Sequence, residues 1–122
     1  MDQTPGLEAM QHAISACMAE LYARHYGHDR TTATTYINGA VVLCLLEDIL
    51  STREAGMLDD GARDEVLDGR AAFQEGMQDE FTAEIERLTG RRVTAFLSAN
   101  QTTPGVAAEL FMLDAPPEAV PQ

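Results

Sequence analysis

His25-Tyr26-Gly27-His28 places two imidazoles three residues apart, a spacing that could start a metal site. Such a site needs a third or fourth ligand held at tetrahedral angles. Gly27 ends a helix between the two rings and takes them off a common face, and His12 lies more than three helical turns earlier. The pair therefore reads as two side chains that cap the last carbonyls of a helix and favour its negative end. The acids Glu75, Asp79, Glu80, Glu84 and Glu86 carry no Glu-x-x-His motif and read as a solvated helix face. No metal and no cofactor is expected.

Nucleophilic catalysis requires a Ser, Cys or Thr beside an oriented base. No G-x-S-x-G elbow, phosphate-binding P-loop or dinucleotide glycine fingerprint occurs, so no catalytic residue is assigned and an enzyme is not expected. Cys17 and Cys44 lie in apolar stretches and read as two reduced thiols that serve as small core residues. One cluster offers binding chemistry: Arg30 and Thr34 after the first helix, matched by Arg92 and Thr94 after the second. Guanidinium forks beside hydroxyls can hold a small anion. The same residues can equally protect the edges of a sheet from aggregation.

The elements that carry these residues follow from periodicity. Leu7, Met10, Ile14, Cys17, Met18, Leu21 and Tyr22 recur at helical spacing between Thr4-Pro5 and Gly27, which predicts an amphipathic first helix. β-Branched residues then give strands over 31–37 and 40–46, joined at Asn38-Gly39 by a turn of type I′. Residues 49–60 read as a connection with one short helical turn, and Asp59 or Asp60 as the cap of one long helix. That helix carries Leu67, Phe73, Met77, Phe81, Ile85 and Leu88 inward and ends at Gly90. Strands over 93–99 and 106–113 flank a turn-rich 100–105.

The order helix, strand, strand occurs twice, which predicts an α+β fold: two α-β-β halves sharing a four-stranded antiparallel sheet, with two helices packed on one face. Residues 1–114 form a single domain, read as an αββ repeat over 4–48 and 60–114, and 115–122 a flexible C-terminal tail. A sheet with one wet face should alternate apolar and polar residues. The second strand does not: Val41, Leu43 and Leu45 oppose Val42, Cys44 and Leu46. The fourth sets Val106, Ala108, Leu110 and Met112 against Ala107, Phe111 and Leu113, with Glu109 its one polar residue. Both faces need cover. The expected cover is a second copy, making a homodimer through Val42, Cys44, Leu46, Ala107 and Phe111; the connection 49–60 is the alternative.

Twenty acids against eight arginines, with no lysine, leave a net charge of -12. Nucleic acid and anionic lipid surfaces repel such a chain. The longest apolar run, Ala40 to Leu46, is too short to span a bilayer, and Met1-Asp2-Gln3-Thr4-Pro5 lacks the regions of a signal peptide. A cytoplasmic protein with no direct membrane insertion is expected.

From about Ala23 to Asp114 the chain resembles the MpsC-like family, small proteins named after one component of a sodium-translocating, membrane-potential-generating system. The resemblance rests on Tyr26-Gly27, on Leu46-Glu47-Asp48-Ile49-Leu50, and on Ser51-Thr52-Arg53-Glu54. It continues through Gly69-Arg70-Ala71-Ala72-Phe73-Gln74, Leu88-Thr89-Gly90-Arg91-Arg92-Val93, Phe96-Leu97-Ser98 and Phe111-Met112-Leu113. Thr52, Glu54, Arg70, Gly90 and Ser98 stand at motif positions. Two departures are His28-Asp29-Arg30, where the family carries a Gly-Pro-type turn, and Ser51 ahead of Thr52. The resemblance implies an accessory component linked to ion translocation or bicarbonate-related systems, possessing no defined activity of its own, with a membrane protein of that system as a partner through protein contacts. A small-anion sensor built on Arg30 and Arg92 is the rival reading.

Overall fold

A computed structural model describes residues 4–118. Its elements are α1 (Thr4–Tyr26), β1 (Thr32–Asn38), β2 (Val41–Glu47), α2 (Thr52–Asp59), α3 (Arg63–Gly76), α4 (Gln78–Thr89), β3 (Val93–Thr102) and β4 (Gly105–Leu113). The four strands form one antiparallel sheet in the order β1-β2-β4-β3. The two hairpins thus adjoin through their second strands, Val41 opposite Met112 and Glu47 opposite Val106.

The apolar stripe of α1 holds: Met10, Ile14, Met18, Leu21 and Tyr22 are buried, with Leu7 and Cys17 half-buried beside them. This helix lies along β1 and β2, α3 and α4 lie along β3, and α1 meets α4. All cover one face of the sheet, against Val42, Cys44, Leu46, Ala107, Phe111 and Leu113.

Several expectations are corrected. The first hairpin turns on Gly39 and Ala40, since Asn38 still pairs with Val41. Among the described residues of that turn only Gly39 has a positive φ, +59°, the pattern of a type II′ turn rather than I′. The single long helix is two, broken at Gly76-Met77, where glycine weakens the helix and Met77 takes φ -96°, ψ 0°. Asp59 and Asp60 close α2 instead of opening α3, which starts after Ala62 with no side-chain cap. Val66, not Leu67, is the buried residue of its first turn. The stretch 100–105 is mostly strand, reduced to a tight turn at Thr103-Pro104, whose peptide is cis. His28 does not cap α1; its Nε2 lies 3.3 Å from the Ile49 carbonyl.

The connection 49–60 holds α2, which packs on α3 and leaves the far face of the sheet uncovered. Of the expected tail, residues 115–118 have no regular structure, and the Pro116 carbonyl accepts a hydrogen bond from Arg91 Nε at 2.9 Å. The rest, 119–122, lies outside the described residues.

Candidate functional site

Two buried polar clusters and one open apolar face stand out once the elements are assembled. The first cluster begins at α2. Ser51 opens that helix with a capping box: its hydroxyl accepts from Glu54 N at 3.1 Å, and Glu54 Oε1 accepts from Ser51 N at 3.0 Å. The same Glu54 oxygen receives Arg70 Nη2 at 2.7 Å, and that nitrogen also donates to the Ile49 carbonyl at 2.5 Å. The guanidinium carbon of Arg70 stands 4.2 Å from the centroid of the Tyr26 ring, close enough for a cation–π contact. Arg70 is 1% exposed, so one buried cation ties α1, the β2–α2 link, α2 and α3 together.

The second cluster centres on Glu109, fully buried in β4. Ser98 Oγ donates to its Oε1 at 2.5 Å; Gln74 Nε2 at 2.8 Å and the Tyr22 hydroxyl donate to its Oε2. Gln74 also exchanges hydrogen bonds with Asn100, at 2.7 and 3.1 Å. Burial raises the pKa of Glu109; the bonds from Ser98, Tyr22 and Gln74 and the charge of Arg70 offset this in part. Burial and the neighbouring Glu109 push the Tyr22 phenol up as well.

Both thiols are suppressed. Burial first, then the Glu84 carboxylate, whose Oε1 is 3.6 Å from Sγ, pushes Cys17 up to about 11. Burial pushes Cys44 up to about 12 against the partial relief of a Thr35 hydrogen bond. Among the described residues no three His, Cys, Asp or Glu side chains converge on a point that could hold a metal ion.

The anion cluster expected from sequence does not assemble. β1 and β3 are the outer strands, three inter-strand spacings or about 14 Å apart. They also run so that Arg30 stands at the end where β3 carries Gln101, whereas Arg92 and Thr94 begin β3 at the other end. Arg30 Nη2 donates to the Leu50 carbonyl at 2.9 Å, and Thr34 is exposed on β1. Arg92 N reaches Asp114 Oδ1 at 3.2 Å, and Thr94 Oγ1 donates to the Met112 carbonyl at 3.2 Å.

The expected dimer face is corrected too. Val42, Cys44, Leu46, Ala107 and Phe111 lie beneath the helices, each at most 1% exposed. The open face is the other one: Tyr36 on β1, Leu43 and Leu45 on β2, Leu110 and Met112 on β4, and Leu97 on β3. Tyr36, Leu97 and Met112 are 52%, 61% and 45% exposed. A shallow groove of about 190 Å³ runs between Leu43, Leu97, Ala108 and Leu110.

The motif residues have structural assignments. Glu54 and Arg70 form the buried pair, Ser98 is a donor to Glu109, Thr52 is the first residue of α2, and Gly90 closes α4 in the left-handed region at φ +71°. Compared with known protein families, residues 7–115 match the one described as Na+-translocating membrane potential-generating system (MpsC). The chain belongs to the MpsC family. Comparison with curated proteins and with solved structures returns no match. Membership links this MpsC-family protein to a sodium-translocating system, and among its described residues no helix is long and apolar enough to cross a membrane.

Sequence reasoning misses Tyr22, Gln74, Asn100 and Glu109 as site residues. The signal for Glu109 is its standing as the one polar residue in an otherwise apolar strand, which demands buried partners.

Proposed function

We propose that this MpsC-family chain is a cytoplasmic, non-enzymatic accessory protein that works as a homodimer, two copies packed sheet to sheet, and that the dimer serves an ion-translocating membrane partner through protein contacts. The observation that carries it is the open face of the sheet. In a chain with twenty acidic residues, the positions of β1 to β4 that face away from the helices hold one charge, Glu47, at the end of β2 opposite Thr32 and Val106. A second copy, itself at net charge -12, meets the uncharged middle of this face without direct repulsion.

Size supports the same occupant. Four strands about 4.8 Å apart and about seven residues long give a flat footprint of roughly 440 Å², so two copies remove roughly 900 Å² from water. That is the size of a weak, reversible interface, below the roughly 1,200 Å² of a standard one. The non-enzymatic part rests on two suppressed thiols and on carboxylates engaged in structural pairs.

Light scattering after size exclusion tests the dimer. Wild type should elute as a dimer, and Leu97→Glu or Leu110→Glu as a monomer with an unchanged far-UV spectrum. A wild type that stays monomeric at high concentration, or a dimer indifferent to both substitutions, refutes it.

A further inference from the structure

A cavity of about 490 Å³ opens where the end of α1 meets the start of α2, apart from the sheet face, and its walls include His25, Tyr26, His28, Arg30, Thr52 and Arg53. The chain leaves α1 at Gly27 and returns toward the Ile49-Leu50 segment, to which His28 and Arg30 both reach. Two of the eight arginines and two of the three histidines of a strongly acidic chain thus surround one cavity.

The two arginines share the wall with one carboxylate, which is already engaged. Glu54 lines the cavity, but its Oε1 is taken by Ser51 N and Arg70 Nη2. Asp29 and Asp48, close in sequence, are not part of the wall. Arg53 forms no ion pair among the described residues. The Tyr26 hydroxyl has no hydrogen-bond partner, nor do Nε and Nη1 of Arg70, whose guanidinium lies against the Tyr26 ring. Buried donors without acceptors are rare in native proteins, and here they accumulate beside a basic cavity.

We propose that this cavity binds a small soluble phosphate monoester. The phosphate is held by Arg30, Arg53 and the Thr52 hydroxyl, and the organic part lies against Tyr26. Two guanidinium forks and a hydroxyl, even with Arg30 Nη2 engaged at Leu50 and both ring nitrogens of His28 taken by Ile49 O and Arg30 N, supply more donors than the two oxygens of a carboxylate accept, whereas a phosphate monoester presents three terminal oxygens and two charges. The volume exceeds what a bare phosphate fills and falls within the range of small-ligand sites.

Amide NMR with phenyl phosphate at constant ionic strength, with inorganic phosphate and benzoate as comparators, tests the site. Saturable shifts are expected at Gly27, His28, Thr52 and Arg53, tightest with phenyl phosphate. Arg53→Ala and Arg30→Ala should each weaken binding about tenfold, and Arg24→Ala, outside the cavity, should leave it unchanged. Arg30→Ala also removes the contact to Leu50, so Arg53→Ala decides the matter. Shifts that do not saturate, equal binding of benzoate, or an affinity untouched by Arg53→Ala overturns the proposal. Flotation with phosphatidate vesicles that is lost in Arg53→Ala assigns the phosphate to a lipid headgroup and overturns the soluble ligand.

Discussion

Arg70 and Glu54, on α3 and α2, meet at 2.7 Å with side chains 1% and 10% exposed. A buried pair of this kind contributes little over an apolar replacement, yet removing one partner strands the other charge away from water. Arg70→Ala is therefore expected to lower unfolding free energy by about 3–5 kcal/mol. Arg70→Met combined with Glu54→Met should lose less than the sum of the two single changes. Urea denaturation of the four proteins measures the coupling, and strict additivity argues against it.

Glu109 makes stability depend on pH with a definite sign. Its folded pKa is raised, so between the unfolded value near about 4.3 and that raised value the folded chain binds more protons than the unfolded one, and stability falls as pH rises. Glu109→Gln removes this contribution. The stability of the variant relative to wild type should increase on going from about pH 4 to neutrality, as followed by denaturant melts at several pH values. A constant difference contradicts the buried-carboxylate account.

A Cβ at Gly105 would lie 2.8 Å from Leu50 Cγ and 3.2 Å from its Cδ1. Gly105→Ala should cost about 1–3 kcal/mol through this overlap, and adding Leu50→Ala should recover part of the melting temperature lost. Gly90→Ala, at φ +71°, should cost about 1 kcal/mol for a different reason, the left-handed backbone, with no second-site rescue at Leu50.

Both thiols should resist alkylation in the native protein at neutral pH. With Cys17 at about 11, only about one molecule in ten thousand carries that thiolate at pH 7. Intact mass after iodoacetamide treatment should show slow modification that accelerates with pH, first at half-buried Cys17, and rapid double modification in denaturant. Fast native labelling at neutral pH would contradict the burial described.

The α1 stripe and both strand pairs were legible because helical and alternating periods are local properties. The turn at Gly39-Ala40 and the break at Gly76-Met77 were not, since each depends on how neighbouring strands and helices close. Period two separated Val42 and Cys44 from Val41 and Leu43, but with both sets apolar nothing local says which lies under the helices. Arg30 and Arg92 looked equivalent by position in each half; strand order put them at opposite edges. Arg70 sat among the polar residues of an amphipathic helix, and its burial follows from α2 folding over it, a tertiary event. The segments around Tyr26, Thr52 and Arg70 were visible as motifs, yet only the fold brings them to one corner.

The β2–β4 ladder also sets an order of events at the ribosome. β2 is apolar on both faces and belongs in the middle of the sheet, but its inner neighbour β4 is the last strand to be made. Until then the first hairpin presents a bare strand edge together with unburied apolar surface, the template on which chains pair wrongly. The nascent protein is thus most vulnerable through the synthesis of α2 to β3, and truncation before Gly105 should yield aggregates rather than a smaller fold.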